Sequence, residues 1–267
     1  CIFAECTNLR EVNFKGVVRD IPTGMFSKCS NLRTLDLRWD SVESIGSEAF
    51  LDCGYDFGVL DYLPNVKTIG ARAFGNVQTL TSVSLSSLTR IEREAFIGCG
   101  NLESVSVDGA GLRLEGGGEK DYYTYGPFAR CPKLRTVKLG DGVVSIPYRL
   151  FYGSTNLETV ILGRGITVAN TVLRDLKNLT TVVARGAMRV IPTGMFSKCS
   201  NLRTLDLRWD SVESIGSEAF LDCGYDFGVL DYLPNVKTIG ARAFGNVQTL
   251  TSVSLSSLTR IEREAFI

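Results

Sequence analysis

The chain holds 267 residues, with 29 Lys plus Arg against 29 Asp plus Glu and no histidine. That balance leaves no long-range field to draw in nucleic acid or anionic lipid, and the missing histidine removes the commonest general base together with every histidine-based triad. Apolar runs last only a few residues, far below the ~20 that a membrane-spanning helix needs, so no spanning segment is expected here.

Read from the start, one residue type keeps time. A phenylalanine or its substitute returns at Phe3, Phe26, Phe50, Phe74, Phe96, Phe128, Phe151, Leu173, Phe196, Phe220, Phe244 and Phe266, at intervals of 22 to 24 residues and once 32. The second period shows the parts in order. After Phe26 come Cys29 and the turn-forming pair Asn31-Leu32. Leu35 and Leu37 then alternate with Thr34 and Asp36, the period of two by which a strand sends apolar side chains to one face. Val42 and Ile45 predict a second extended piece that closes the coil. Ser47-Glu48-Ala49-Phe50, following Ile45-Gly46, offers a cap and helix formers, which predicts a short helical or 3-10 turn on the convex wall with Phe50 plugging the interior.

One such coil cannot bury its own apolar stripe, but strands stacked at ~4.8 Å share a continuous core. The expected architecture is therefore an α/β repeat solenoid: a right-handed leucine-rich-repeat coil over 1–267, cut from a longer array. Its core ladder would be Phe26, Phe50, Phe74, Phe96, Phe128, Phe151, Phe196 and Phe220, backed by Cys29, Cys53, Cys99, Cys131, Cys199 and Cys223 in the third place after the anchor. A recurring slot favours small apolar thiols filling a gap over a disulfide framework, although bridges between neighbouring coils stay open. With no C-x-x-C pair, metal ligation is not expected. The Asn-Leu pairs at Asn31, Asn101, Asn156, Asn178 and Asn201 read as turn residues bonding to nearby backbone, and Asn178-Leu179-Thr180 is a glycosylation sequon.

Three departures stand out. The segment 52–63, repeated at 222–233, puts Cys53-Gly54-Tyr55-Asp56-Phe57 in place of the usual Asn-Leu, so Phe57 or Val59 must enter the core and Tyr55 is expected to be partly exposed. Trp39 and Trp209, each between Arg and Asp, are rim residues that serve either a partner or the strand's edge. The long interval carries an insertion at 112–126, with three consecutive glycines and then Tyr122, Tyr123 and Tyr125. Such a stretch is either an adaptable binding loop or a loop folded back over the flank. Above these sits a longer period, since residues 21–97 and 191–267 are identical. The chain also starts and stops within the motif. A proteolytic piece, a designed boundary and a subunit stacking end to end into a fibre all remain open.

The phrases Ile45-Gly46-x-x-Ala49-Phe50-x-x-Cys53, Ile69-Gly70-x-x-Ala73-Phe74 and Phe26-x-x-Cys29-x-Asn31-Leu32-x-x-Leu35 closely resemble the BspA-like class of leucine-rich repeats over essentially the whole chain. The resemblance implies a secreted or cell-surface protein that attaches to host proteins, other cells or matrix; neither catalysis nor a cofactor is expected, with no histidine and no phosphate-binding glycine motif in the chain. The alternative is a structural fibre or coat built by end-to-end stacking. Partners would be protein, by way of the inner sheet, the tyrosine loop and residues such as Trp39, Trp209 and Tyr55.

Overall fold

A computed structural model describes residues 2–118, 120, 121 and 123–267. The chain winds into a parallel β-solenoid, one turn for each anchor period. Every turn contributes an inner strand such as Ser82–Leu85, Ser104–Val107 or Thr136–Leu139. It then adds a second strand such as Ser44–Ile45, Thr68–Ile69 or Arg90–Ile91. Each pairs in parallel with its counterpart in the adjacent turn. A seven-stranded inner sheet runs from Val59–Leu60 to Thr204–Asp206, and a seven-stranded second sheet from Asp20–Ile21 to Thr167–Val168. A separate four-stranded sheet takes up the second position from Val190–Ile191 to Arg260–Ile261.

The inward residues explain the stacking. Val83, Val105, Val137, Val160 and Val182 are buried on the inner strands, and Ile45, Ile69 and Ile91 on the second. The anchors Phe26, Phe50, Phe74, Phe96, Phe128, Phe151, Phe196 and Phe220 are all at most 1% exposed. Phe3, Phe26, Phe50, Phe74, Phe96 and Phe128 form an offset stack of rings, with successive centroids 5.1 to 5.6 Å apart. A second stack joins Phe196, Phe220, Phe244 and Phe266. The thiols have a more definite task than filling space. Cys29 Sγ donates to Phe3 O at 3.0 Å, Cys99 to Phe74 O at 3.1 Å, Cys131 to Phe96 O at 3.3 Å and Cys199 to Leu173 O at 3.0 Å. In these coils the slot ties the chain to an anchor carbonyl of an earlier coil, whereas Cys53 Sγ points to Cys29 O at 3.9 Å. Ser154 fills the slot with a hydroxyl that donates to Phe128 O at 2.9 Å.

The convex wall differs from the helical turn expected for Ser47 to Phe50. Residues 46–53 form successive tight turns, in which Ala49 N donates to Gly46 O, Leu51 N to Glu48 O and Cys53 N to Phe50 O. Glu48 (φ 55) and Asp52 (φ 54) are left-handed, and a right-handed helix cannot pass through such residues. The gain is between coils: Glu48 N, Phe50 N and Asp52 N reach Ala71 O, Ala73 O and Gly75 O at 2.8, 2.7 and 2.9 Å. A helix would have closed those donors on itself, whereas the alternating turn spends every second N–H on its neighbour. Positive φ recurs at the same two places in other coils, as at Arg72 and Asn76 or Glu218 and Asp222. Among the described residues the helices are the 3-10 segments Trp39–Ser41 and Trp209–Ser211, which follow inner strands.

The asparagines also act across coils rather than within their own turn. Asn31 Nδ2 donates to Thr7 O, Asn101 to Gln78 O and Asn156 to Pro132 O, at 2.7, 2.7 and 2.8 Å. Charged residues of the outer wall alternate in sign along the stack. Arg72 lies between Glu48 (3.6 Å) and Glu94 (3.8 Å), and Arg19 meets Glu43 at 2.6 Å. These pairs are solvent-exposed and each contributes little, but a shifted order of coils would set like charges together.

Candidate partner-binding surfaces

The solvent side of the inner sheet is built by register. Ser82, Ser104, Thr136, Thr159, Thr181 and Thr204 align across successive strands in one row, and Ser84, Ser106, Lys138, Ile161, Val183 and Asp206 in the next. Small side chains keep this face open, and six spacings of ~4.8 Å make it roughly 30 Å long.

Both ends of that face abut an aromatic cluster, and the clusters are copies of one another. Strand Thr34–Asp36 pairs with Glu11–Asn13 but not with Val59–Leu60, because the irregular segment 52–58 intervenes. Phe57, 3% exposed, sits edge-on between Phe50 (5.0 Å) and Phe74 (5.2 Å), while Val59 is half exposed. Trp39 lies over Phe50 (6.1 Å), Tyr55 (6.3 Å) and Tyr62 (5.6 Å). Burial pushes the Tyr62 hydroxyl well above its ordinary range. Trp209, Phe227, Tyr232 and Phe220 repeat the arrangement at the other end. Trp39, Trp209 and Tyr55 are half-buried against the core, so their rings fill the break and leave only part of their surface to solvent. Phe57 and Tyr62 belong to the same cluster but carry no repeat signal of their own; the doubled segment 52–63 was the sign of them.

The tyrosine insertion divides. Tyr122 lies outside the described residues, and Tyr123 is 89% exposed. Tyr125 is half-buried among cations: the Arg130 guanidinium lies 4.7 Å from its ring centroid and that of Arg149 5.6 Å, Arg130 Nη2 donates to Tyr125 Oη at 3.1 Å, and the Tyr152 ring is 5.0 Å away. Asp121 caps the loop by accepting from Tyr123 N and Thr124 N, each at 3.1 Å. Bonding to Thr124 and then to Tyr123 holds its carboxyl below the usual range. Tyr125 thus pins the loop to the convex turn around Tyr152, away from the inner sheet.

Two clefts open where the coil of residues 149–168 meets that of 171–191. The one on the convex side, about 520 Å³, is lined by Tyr148, Tyr152, Phe151, Val172, Arg174 and Leu176 among others. The other, about 290 Å³, lies between Thr167, Val168, Met188, Val190 and Pro192. Burial raises the thiols, with Cys53 and Cys131 pushed up to about 12 and Cys223 to about 11, so they stay protonated and unreactive at neutral pH. Among the described residues no cluster of acidic or thiol side chains could hold a metal ion.

Comparison with known proteins follows the same lines. The model of the BspA type leucine rich repeat region matches in six copies, over residues 56–113, 124–227 and 214–267, more than half of the chain. A leucine-rich repeat protein from Bacteroides ovatus ATCC 8483 is similar over 97% of this chain and 70% of its own, at 26% identity and a TM-score of 0.61. More distant are a leucine rich cell surface protein from Faecalibacterium prausnitzii A2-165 and a leucine-rich repeat protein from Eubacterium ventriosum ATCC 27560. The first is 19% identical, with 95% of this chain and 62% of its own covered and a TM-score of 0.39. The second is 20% identical, with 99% and 77% covered and a TM-score of 0.43. No curated protein matches the chain.

Proposed function

This chain belongs to the BspA-type leucine-rich-repeat family, and from that premise we propose that it is a non-enzymatic adhesion scaffold, displayed outside the cell, that holds a protein partner on its inner sheet. The observation that carries the reading is the open seven-stranded face with its aligned rows of Ser, Thr, Lys and Asp between two Trp–Tyr clusters. A surface some 30 Å long and about 13 Å wide, made of four-residue strands, supplies about half of the ~800 Å² per partner of a standard interface, and the flanking clusters extend it. The half-buried rings at its ends supply the rigid aromatic anchors on which binding energy concentrates. Tyr123, on the convex side, is a secondary contact at most.

The test is binding of the chain to an immobilised basement-membrane extract by surface plasmon resonance. Thr136→Arg and Thr159→Arg, in the middle of the face, are expected to abolish a response that Tyr123→Ser leaves intact. Loss with Tyr123→Ser and retention with both arginine variants would move the interface to the loop, and no response from the native chain would remove matrix adhesion.

A further inference from the structure

We propose that Arg164, Arg185, Arg189 and Arg208 form a binding site for an anionic polysaccharide, on the wall that joins the inner sheet to the second sheet and separate from the face assigned to a protein partner. The even charge of the whole chain hides a local excess: residues 142–205 hold eight Lys or Arg against two Asp or Glu. Register brings part of that excess into one line. Thr181–Ala184 pairs with Thr159–Leu162 on one side and with Thr204–Asp206 on the other, Leu162 standing opposite Ala184 and Val183 opposite Asp206. Arg185 directly follows Ala184, Arg208 lies two residues beyond Asp206 and Arg164 two beyond Leu162. Three successive coils thus each deliver a guanidinium to the same edge, at backbone spacings of ~4.8 Å. Arg189 stands across the wall, immediately before the second strand Val190–Ile191.

These cations are lightly held. Arg164 and Arg189 are 77% and 79% exposed, and their contacts with Asp141 and Glu213 measure 3.8 and 3.6 Å. Arg208 lies 3.8 Å from Asp210, and among the described residues no ion pair involves Arg185. Such separations exceed those of a charge-assisted hydrogen bond, so an incoming anion competes with little. Arg135, closed on Glu158 at 2.6 Å, shows the opposite case. The carboxylates of this wall are turned to backbone. Asp141 Oδ1 accepts from Arg164 N at 3.0 Å, and Asp108 Oδ1, two coils before Arg164, accepts from Gly109 N and Gly142 N at 2.8 Å each.

The surroundings favour a sugar polymer over an acidic protein segment. A guanidinium fork matches carboxylate and sulfate groups bidentately, and a row with one fork per coil suits an anion that repeats along a chain. Around the row stand Gly163, Gly165, Gly186 and Ala187, which leave the backbone open to hydroxyls and offer none of the aromatic anchors on which protein interfaces rest. Gly165 has open space where a side chain would stand. Arg189 lines two depressions of about 290 and 280 Å³, which give ring atoms room beside the charge.

The arrangement recurs where little else does. Residues 1–20 and 171–190 are identical at only five positions, yet Lys15 and Arg19 stand where Arg185 and Arg189 do, with Arg38 in the place of Arg208. That first site is the weaker, because Arg19 is closed on Glu43 at 2.6 Å and Asp20 takes the place of Val190.

Surface plasmon resonance of the intact chain over immobilised heparin and immobilised polygalacturonate tests the site. The native chain is expected to bind at least one of them at low ionic strength and to leave it at about 0.5 M sodium chloride, where charges are screened within roughly 4 Å. Arg185→Gln with Arg189→Gln should weaken that binding about tenfold, whereas Arg93→Gln with Arg113→Gln, an equal loss of charge elsewhere, should leave it within about twofold. All four side chains are exposed, so the fold does not depend on them. The polymer that binds distinguishes sulfate from carboxylate recognition. No binding to either polymer, an equal loss in the two double variants, or binding to polyglutamate as tight as to the preferred polysaccharide would overturn the proposal.

Discussion

The repeat is interrupted in two ways, and the molecule treats them differently. Between Thr34–Asp36 and Val59–Leu60 the inner sheet is broken but the gap is plugged by Trp39, Tyr55, Phe57 and Tyr62, while the ring stack and second sheet continue past it. Between residues 168 and 190 the inner sheet continues, the second sheet is interrupted, and clefts lie beside the break. A solenoid therefore tolerates the loss of one wall when rings replace it, and tolerates an open gap when one wall is whole.

Alkali should sharpen the contrast most. The thiol slot holds Cys53, Cys131 and Cys223 on either side of the junction but Ser154 and Leu176 at it. Each buried thiol keeps its proton more tightly when folded. Its stabilisation is therefore whole below the ordinary value of 9.0 and is lost as pH climbs towards about 11 for Cys223 and about 12 for Cys53 and Cys131. Urea unfolding followed by circular dichroism should show the midpoint falling as pH rises from 9 towards 12; a midpoint unchanged over that range would contradict the burial.

Deleting side chains probes the same difference on a smaller scale. Phe57→Ala removes the ring that plugs the inner break and is expected to cost about 3–5 kcal/mol, against about 2 kcal/mol for Leu173→Ala beside an existing cleft. Urea unfolding of the two variants measures this, and equal losses would mean that the junction is as tightly filled as the plug. Ser154→Ala strips a buried hydroxyl that accepts from Cys131 N and donates to Phe128 O. It should cost about 1–3 kcal/mol by leaving those backbone groups without a partner. Rescue by Ser154→Cys, with the chemistry of the other coils, would tie the loss to the hydrogen bond rather than to the shape of the site.

Much of the architecture is legible in single residues. Leu35 and Val83, Ile45 and Ile69, and the anchor phenylalanines each carry an inward position in their spacing. The convex wall was not legible in that way. Ser47 to Phe50 has the composition of a helical turn, yet Glu48 turns left-handed because its N–H has a carbonyl to meet on Ala71, one coil further on. The asparagines misled for the same reason, since their acceptors lie 23 to 24 residues earlier. Of the candidate contact residues, Tyr123 is exposed to solvent, whereas Tyr125 is engaged by nearby Arg130 and by Tyr152, whose distance along the chain hides the second contact.

What the linear order settles by itself is the coil: its length, its two strands and which side chains point inward, because those follow from steric alternation within a few bonds of each residue. What only the stacked chain decides is where neighbouring coils stay joined. The second sheet stops at Thr167–Val168 and restarts at Val190–Ile191 while the inner strands beside them pair in full register, and no spacing in the sequence announces that difference.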